Sequence, residues 1–478
     1  MFIGLDLGTS SLKAILVDDR DRVLTERTVP LSVERPRPGW SEQDPTSWLA
    51  AAREVLAGLA ADHDCAGLRG IGLAGHMHGA TLVGRDDRPL RPCLLWNDTR
   101  AHAEAAEFDR DGRFRAITGN IVFPGFTAPK VEWVRRHEPE AFAATTRVLL
   151  PKDYLRLWLT GEAVSEMSDA AGTAWLDTGR RDWSDELLAA CHLHRARMPR
   201  LVEGSETSGT LRPALAADLG LPSVPVAGGA GDNAAAAIGA GVVADGAAFL
   251  SLGTSGVLAA AAGGYRPDPA TAVHTFCHAV PERWLQMGVV LAAADALEWL
   301  ARLTGRSTAE LAHAAGPLRA PAGPLFLPYL GGERTPHNDA RIRGQFLHLD
   351  HATDAAAATR AVMEGVAYAF ADSRDALAGA GTRVARALAV GGGARSAAWL
   401  EILANVLELP VDMPAGGEFG AALGAARLAR MATDGAGLDV AVPPAVARTV
   451  EPDPTLAPAF REGLARYRQS YAALKDLT

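Results

Sequence analysis

The chain has 478 residues, of which 48% are hydrophobic and 22% are charged, a composition typical of folded globular proteins. This composition excludes an intrinsically disordered tail, a small disulfide scaffold and a collagen-like repeat. With 47 basic and 56 acidic residues the net charge is −9, so bulk charge gives no indication of a nucleic-acid-binding surface. At roughly 150 residues per domain, the length predicts two or three domains.

The sequence gives no sign of secretion or membrane insertion. Its beginning, MFIGLDLGTSS, lacks the basic segment and apolar core of a signal peptide. The apolar stretch 287–303 contains Asp295, Glu298 and Arg302, which excludes a membrane span. Four widely spaced cysteines form neither a zinc-binding pattern nor a C-x-x-C pair: Cys65, Cys93, Cys191 and Cys277. We therefore expect a cytoplasmic protein that uses neither a membrane nor a nucleic acid as partner.

Strand and helix patterns alternate over the first 75 residues. Apolar runs predict three strands at Phe2–Leu7, Leu12–Val17 and Arg22–Val29. The glycine-containing turn Gly8–Ser11 joins the first two strands. An Asp-Pro cap predicts a helix over Asp44–Ala61, which leads into a strand over Gly70–Leu73.

A repeat divides the chain. The tetrapeptide LGTS occurs at Leu7–Ser10 and again at Leu252–Ser255, each time after an apolar run, which indicates a duplication. In the second copy we predict strands at Ala247–Leu252, Val257–Ala261 and Val273–Val280, with a turn at Gly253–Gly256 between the first two. Both loops join two strands, whereas the glycine loops of Walker and Rossmann proteins lead into a helix. The pattern predicts two α/β domains around a central cleft, with a boundary near residue 243.

The first loop carries groups suited to phosphate and metal. Asp6 is followed by a glycine turn with three hydroxyls and a lysine, namely Gly8, Thr9, Ser10, Ser11 and Lys13. Such a turn can bind phosphate oxygens, and the carboxylate can hold hydrated Mg²⁺. An ordinary hairpin turn is the alternative, but two facing copies would form a clamp for a polyphosphate. The second copy has Ser251 in place of Asp6.

Two further glycine clusters stand between a predicted strand and a predicted helix. In the first, the strand Val224–Ala227 and the turn Gly228–Gly231 precede Asp232 and a helix over Asn233–Gly239. Asp232 suits either a helix N-cap or a general base at a helix N-terminus. In the second, the strand Ala387–Val390 precedes three glycines that could let a flat base approach the backbone, or that simply connect the strand to a helix over Trp399–Leu407. Long helices are also predicted over Ala355–Ala378 and Pro454–Leu477.

Two polar motifs lie between the first loop and Asp232. GHMHGA places His76 and His78 two residues apart, which suits zinc or, without a third ligand nearby, polar contacts to a substrate. WNDTR combines Trp96 and Asp98 with amide and guanidinium groups, a mixture that suits a polyhydroxylated ligand or a capped helix start.

Taken in order, these motifs resemble the FGGY family of carbohydrate kinases, in the superfamily of sugar kinases, chaperones and actin. DLGTS and SLGTSG resemble its two phosphate loops, AVGGGAR its adenosine motif and GFTAPKVEWVRRHE, with Lys130 and Trp133, its first signature. The resemblance runs from residue 2 to about residue 430. It implies two ribonuclease H-like domains, 1–242 and 243–478, around a cleft for ATP and a sugar. His76 stands where the family usually has glutamine.

The resemblance also implies roles for individual residues. Asp232 becomes the catalytic base, and Asp6 becomes the catalytic carboxylate that holds Mg²⁺. The implied sugar contacts are Met77, His78, Asp232 and Asn233, to which we add Trp96 and Asp98. The implied nucleotide contacts are Gly8, Thr9, Ser10, Ser11, Lys13, Gly253, Thr254, Gly392 and Gly393, with Trp299 as a wall on a helix predicted over Ala292–Leu303.

The resemblance implies an ATP- and Mg²⁺-dependent kinase for the terminal hydroxyl of a ketopentose, D-xylulose first. Another ketose or polyol, such as ribulose, gluconate or glycerol, is the alternative within the family. An ATPase of the actin or chaperone type is the alternative outside it. A homodimer is compatible with either interpretation.

Overall fold

Two seven-stranded sheets form the centre of the molecule, which a computed structural model describes for residues 1–416 and 420–477. The strands before residue 243 are β1 (Phe2–Leu7), β2 (Ser11–Val17), β3 (Val23–Pro30), β4 (Glu42–Gln43), β5 (Gly70–Gly75), β6 (Thr81–Val83), β7 (Cys93–Leu94), β8 (Arg147–Leu149), β9 (Val164–Glu166), β10 (Leu176–Asp177), β11 (Asp182–Trp183), β12 (Arg200–Val202), β13 (Thr207–Thr210), β14 (Pro225–Ala227) and β15 (Ala230–Gly231). The helices of this half are α1 (Pro45–Asp62), α2 (His102–Arg110), α3 (Gly112–Thr118), α4 (Thr127–His137), α5 (Pro139–Ala144), α6 (Pro151–Thr160), α7 (Met167–Ala170), α8 (Asp185–Ala190), α9 (Pro213–Leu219) and α10 (Asp232–Gly239).

The second half contains the remaining elements. Its strands are β16 (Ala248–Leu252), β17 (Gly256–Ala262), β18 (His274–Cys277), β19 (Trp284–Val290), β20 (Leu325–Leu327), β21 (Gln345–Leu347), β22 (Ala387–Val390), β23 (Val411–Pro414) and β24 (Val446–Val450). Its helices are α11 (Ala294–Thr304), α12 (Thr308–Ala314), α13 (Ala355–Gly379), α14 (Ala397–Leu407), α15 (Ala421–Asp434) and α16 (Ala457–Leu474).

The two sheets share one topology. The first has the order β13–β14–β5–β1–β2–β3, with β15 also paired to β5. Its strands β1, β2 and β3 form antiparallel hairpins, and β5 runs parallel to β1. The second has the order β18–β19–β17–β16–β22–β23–β24, in which β16 and β17 form the hairpin and β22 runs parallel to β16. Both LGTS sequences therefore lie at the turn of a hairpin, as predicted.

Most predicted elements agree with the structure to within three residues at each end. The strands Phe2–Leu7 and Ala387–Val390 match it at both ends. Helix α1 begins after Asp44, whose side chain caps it by accepting from the Thr46 amide. Asp232 is the first residue of α10 and Gly231 is its N-cap, so the prediction of a position beside the cap is confirmed.

The strand predicted over Val273–Val280 is present as the shorter β18, but it lies at the sheet edge and is not the counterpart of β3. The strand that pairs with β17 is β19, which the sequence analysis did not predict. The apolar end of β19 continues almost directly into α11, and a short apolar run next to a helix has no period of its own that would reveal it.

Helix α15 connects the two halves. Although it lies late in the sequence, it packs on β1 and β5 of the first sheet and on α10. Gly4 and Gly72 allow this contact, because a Cβ atom on either would overlap a backbone carbonyl of α15. Within the part of the chain that the structure describes, no helix is both long and apolar enough to span a membrane.

Candidate active site

Two acidic residues meet where the first sheet ends. Asp6, near the end of β1, is level with Ala74 in β5, and Ala74 is level with Ala230 in β15. Asp232 follows β15 directly and begins α10. The parallel pairing of these strands therefore brings Asp6 and Asp232 to the same edge of the sheet.

Burial holds both carboxyl groups closer to neutrality than usual, and at Asp232 the charge of Asp6 adds to this effect. Burial raises the pKa of Asp6 to about 6, and Lys13, opposite it in the β1–β2 hairpin, opposes the shift. Burial and, to a lesser extent, the charge of Asp6 raise the pKa of Asp232 to about 7. The backbone and side-chain amides of Asn233 donate to Oδ1 of Asp232 at 2.7 and 2.9 Å and favour its charged form. A carboxylate with such a pKa can accept a proton near neutral pH.

The first hairpin loop is anchored from two sides. The indole nitrogen of Trp96 donates to the Thr9 hydroxyl at 3.0 Å, and the Gln43 side chain donates to the Thr9 carbonyl at 3.0 Å. The Trp96 side chain remains half exposed. Ser10 at the tip of the loop is exposed, although its carbonyl accepts from the Leu31 amide at 2.8 Å.

The second hairpin loop is tied to the start of α11. The carbonyls of Gly253 and Thr254 accept from the amides of Ala294 and Ala293 at 2.8 and 2.9 Å. The Thr254 side chain is exposed. A cleft of about 800 Å³ begins at this loop and continues between α11, α12 and α14, and its lining includes Gly392, Gly393 and Arg395.

The glycines of the third cluster pack closely against the second loop. Gly391 has a φ of +92°, and a Cβ there would lie 2.9 Å from the Leu252 carbonyl oxygen. A Cβ on Gly393 would lie 2.6 Å from the Leu252 side chain, whereas one on Gly392 would meet no atom within 4 Å. Trp299 stacks on Phe326 and Phe346 at 5.7 and 6.2 Å. Its neighbours Leu297 and Glu298 line the cleft.

The side chain of His78 is held in a fixed orientation by a hydrogen bond. Its Nδ1 lies 2.7 Å from the carbonyl oxygen of Gly172, so Nδ1 carries the proton and Nε2 the lone pair. Burial lowers the pKa of His78 to about 3, which keeps the ring neutral. The Met77 side chain lies against both glycines that border the site, Gly172 and Gly231.

The backbone of His78 is strained and is stabilised by neighbours. Its φ is +69°, a left-handed backbone conformation that residues other than glycine adopt at a cost in free energy. The His78 carbonyl accepts from the Thr127 hydroxyl at 3.1 Å and from Nζ of Lys130 at 2.9 Å. Strain of this kind is found preferentially at functional sites.

The zinc alternative for His76 and His78 receives no support from the residues that the structure describes. The ring nitrogens of His76 have no hydrogen-bond partner, and its ring meets Trp48 edge to face at 5.7 Å. Burial lowers the pKa of His76 to about 3. Residues 1–416 and 420–477 contain no group of three or more His, Cys, Asp and Glu side chains that could hold a metal ion.

Asp98 is fully occupied by protein donors. Its oxygens accept from the Ser41 amide at 2.7 Å and from the Arg100 guanidinium at 2.7 to 3.0 Å, and the side chain has no exposed surface. Arg100 lies 3.6 Å over the Trp40 ring. These contacts make Asp98 an anchor for the segment that carries Trp96.

Several residues around His78 were missed as site residues. Phe126 stacks on its ring at 4.8 Å, and Phe276, from β18 of the second sheet, approaches at 5.9 Å. Arg334 donates to His274 Nε2 at 3.2 Å and lies 3.6 Å over the Phe123 ring. These residues come from distant parts of the chain, so no local spacing could have joined them. Arg334 lies in the segment GGERTPH, whose residues do not by themselves indicate where the segment lies in the fold.

Comparisons with known proteins agree with this geometry. Residues 1–239 match the model of the N-terminal domain of the FGGY family of carbohydrate kinases, and residues 248–433 match that of its C-terminal domain. Over 437 residues the chain is 49% identical to the xylulose kinase of Escherichia coli (strain K12), covering 91% of this chain and 90% of that protein.

Solved structures show the same similarity. A crystal structure of a "xyloylose kinase" from Brucella ovis has a TM-score of 0.98 and 56% identity, and covers 100% of this chain and 99% of that one. The xylulose kinase of Rhodospirillum rubrum has a TM-score of 0.93 and 31% identity, with 99% of each chain covered.

Proposed function

Because the chain belongs to the FGGY family of carbohydrate kinases, we propose that it is a xylulokinase, which transfers the γ-phosphoryl group of ATP to the terminal hydroxyl of D-xylulose. The product is D-xylulose 5-phosphate. The similarity to xylulose kinases covers about nine tenths of the chain, and it agrees with the two hairpin loops and with the acidic pair at the edge of the first sheet.

Asp232 is the general base in this proposal. The observation that carries it is the position of a half-buried carboxylate at the first residue of α10, directly after a glycine turn and at the same edge of the sheet as Asp6. Its pKa, raised to about 7, suits a group that takes the proton from the attacking hydroxyl. Asn233 holds the Asp232 carboxylate through Oδ1, and its remaining polar atoms suit a sugar hydroxyl.

Asp6 is the residue that would hold Mg²⁺. A half-buried carboxylate whose charge raises the pKa of a second one, with Lys13 opposite it, fits a hydrated divalent cation. The ion would lower the negative charge of the transferred phosphoryl group when bound. Lys13 and the hydroxyls of Thr9, Ser10 and Ser11 supply further positive and hydrogen-bonding groups from the chain itself.

His78 and Met77 position the sugar. Since Nδ1 of His78 is bound to Gly172, its Nε2 can accept a hydrogen bond from a sugar hydroxyl. Phe126 stacks on the His78 ring and Phe276 approaches it, and both side chains shield the imidazole from water. We assign Trp96 a place at the rim, where it can contact the sugar while it supports Thr9, and Asp98 a part in holding that segment.

The nucleotide occupies the cleft in the second half. Its phosphates would lie between Gly8 of the first loop and Gly253 and Thr254 of the second, and its adenosine on Gly392 and Gly393. Leu297 and Glu298 line this cleft, and Trp299 would support them through the packing of α11.

The remaining proposals concern organisation. We place the boundary of the two domains between residues 242 and 243, in the connection from α10 to β16. All four cysteines are buried, free thiols, which supports a reducing, cytoplasmic location. A homodimer is compatible with the proposal, and analytical ultracentrifugation would determine the assembly.

A substrate panel tests the proposal. ADP release is measured with pentuloses, hexuloses and polyols under identical conditions. We expect the highest kcat/KM with D-xylulose and little ADP release without sugar. Equal or higher kcat/KM with gluconate, glycerol or ribulose would move the protein to another branch of the family. A rate of ADP release that is the same with and without every sugar would favour the ATPase alternative.

A further inference from the structure

A cluster of ionisable side chains lies completely buried and is bonded to the glycine turn that precedes Asp232. Its members have no exposed side-chain surface: Lys152, Asp153, Arg156, Glu166 and Asp169. Nζ of Lys152 lies 2.8 Å from Asp153, 3.1 Å from Asp169 and 3.2 Å from Glu166. Burying so many charges is costly even when they are paired.

The cluster is bonded to the glycine turn at both ends. The Gly231 amide donates to the hydroxyl oxygen of Ser168 at 3.1 Å, and that hydroxyl donates to Glu166 at 2.8 Å. At the other end, the Arg156 guanidinium donates to the Gly228 carbonyl. Glu166 also accepts from the Ser168 amide at 2.7 Å, which fixes the serine relative to the carboxylate.

The earlier residues of the turn are held by backbone contacts. The amides of Gly228 and Gly229 donate to the carbonyls of Glu206 and Gly204 at 2.7 and 2.9 Å, and β15 pairs with β5. Ser168 adds a side-chain hydrogen bond at Gly231, the last residue of the turn. Asp232 is the next residue, and a general base displaced by 1 Å can lose about 10²-fold in rate. A hydrogen bond to the last glycine is therefore well placed to set the position of Asp232.

We propose that Ser168, oriented by Glu166 and Lys152, is a positioning residue that fixes the catalytic carboxylate of Asp232 through the Gly231 amide. The inference rests on the proposed function, since it requires Asp232 to be the base. It assigns a role to the motif MSDAAGT, which contains Ser168, and to the lysine of LLPKDY.

Two matched alanine variants test the proposal. Ser168→Ala removes the acceptor of the Gly231 amide. Ser165→Ala removes a hydroxyl that is equally buried but has no hydrogen-bond partner. We expect Ser168→Ala to lower kcat by roughly 10- to 100-fold, with the KM for ATP within about twofold. Ser165→Ala should keep kcat within about twofold of the original.

A second readout reports the bond itself. Hydrogen exchange, followed by mass spectrometry of peptides that cover residues 228–233, should show a protected Gly231 amide in the original protein and faster exchange in Ser168→Ala only. Fast exchange of this amide in the original protein would overturn the proposal, and that measurement needs no variant. If Ser168→Ala does not fold, Glu166→Gln should lower kcat at least about threefold by disturbing the orientation of Ser168, and an unchanged kcat there would overturn the proposal.

The outcomes separate this inference from the function on which it rests. An unchanged kcat in folded Ser168→Ala, or an equal loss in Ser165→Ala, would overturn the positioning role. If that occurred while Asp232→Asn was inactive, the proposed function would stand. Full activity of Asp232→Asn would instead show that Asp232 is not the base, and the positioning role would then be overturned as well.

Discussion

The carbonyl oxygen of Gly172 lies 2.7 Å from Nδ1 of His78, and the same glycine leaves no space for a side chain beside that ring. A Cβ at position 172 would lie 2.5 Å from Nδ1. One small residue thus fixes both the tautomer and the position of the imidazole.

Replacing this glycine should weaken sugar binding selectively. Gly172→Ala displaces His78, so we expect the KM for D-xylulose to rise about three- to tenfold, the usual value of one hydrogen bond. The KM for ATP should stay within about twofold. Gly112→Ala is the control, since a Cβ there meets no atom within 4 Å. An unchanged KM for the sugar in Gly172→Ala would show that His78 does not contact it.

His78 should act as a neutral hydrogen-bond acceptor and not as a metal ligand. His78→Ala should raise the KM for the sugar, since a lost hydrogen bond costs about 0.5–1.5 kcal/mol. Because burial lowers the pKa of His78 to about 3, its contribution should not change between about pH 6 and pH 8. Elemental analysis of the purified protein provides the check. Stoichiometric zinc that is lost on substitution of His76 or His78 would contradict this role.

The acid side of the pH profile should report Asp232. A base works only when it is unprotonated, and burial and Asp6 raise the pKa of Asp232 to about 7. As the pH falls below this pKa, kcat/KM for D-xylulose should therefore fall, up to about tenfold per pH unit. Asn233→Ala removes a side-chain donor that favours the charged form. That variant should move the acid limb to higher pH, and a shift to lower pH would contradict the assignment.

Two neighbouring glycines should separate folding from nucleotide binding. Gly391 has a φ of +92° and a ψ of 172° and packs on Leu252, so Gly391→Ala should lower the free energy of unfolding by about 1–3 kcal/mol. Gly392→Ala places a methyl group in open space, so the unfolding free energy should be unchanged while ATP affinity falls. Chemical denaturation and calorimetric titration of both variants measure this. Full ATP affinity in Gly392→Ala would place the adenosine elsewhere.

The sequence predicted those parts of the site that depend on residues close together in the chain. Asp6 and Asp232 each stand next to a glycine turn, and the repeated LGTS identified both hairpin loops. The contacts of Ser168 with Gly231 and of Arg334 with His274 could not be predicted, because they join residues 60 or more positions apart. The strand β19 was missed because its apolar residues run into α11. Asp98 could not be distinguished from an exposed ligand, since its partners Arg100 and Ser41 enclose it only in the folded chain.

The central claim is that Asp232 acts as the base of a sugar kinase. The most direct measurement compares sugar-dependent ADP release by Asp232→Asn with that of the original protein, together with calorimetric titration of ATP. The amide has nearly the shape of the carboxylate but cannot accept the proton, so kcat should fall by about 10²–10⁴-fold while the Kd for ATP stays within about twofold. Turnover of Asp232→Asn close to that of the original protein would contradict the account.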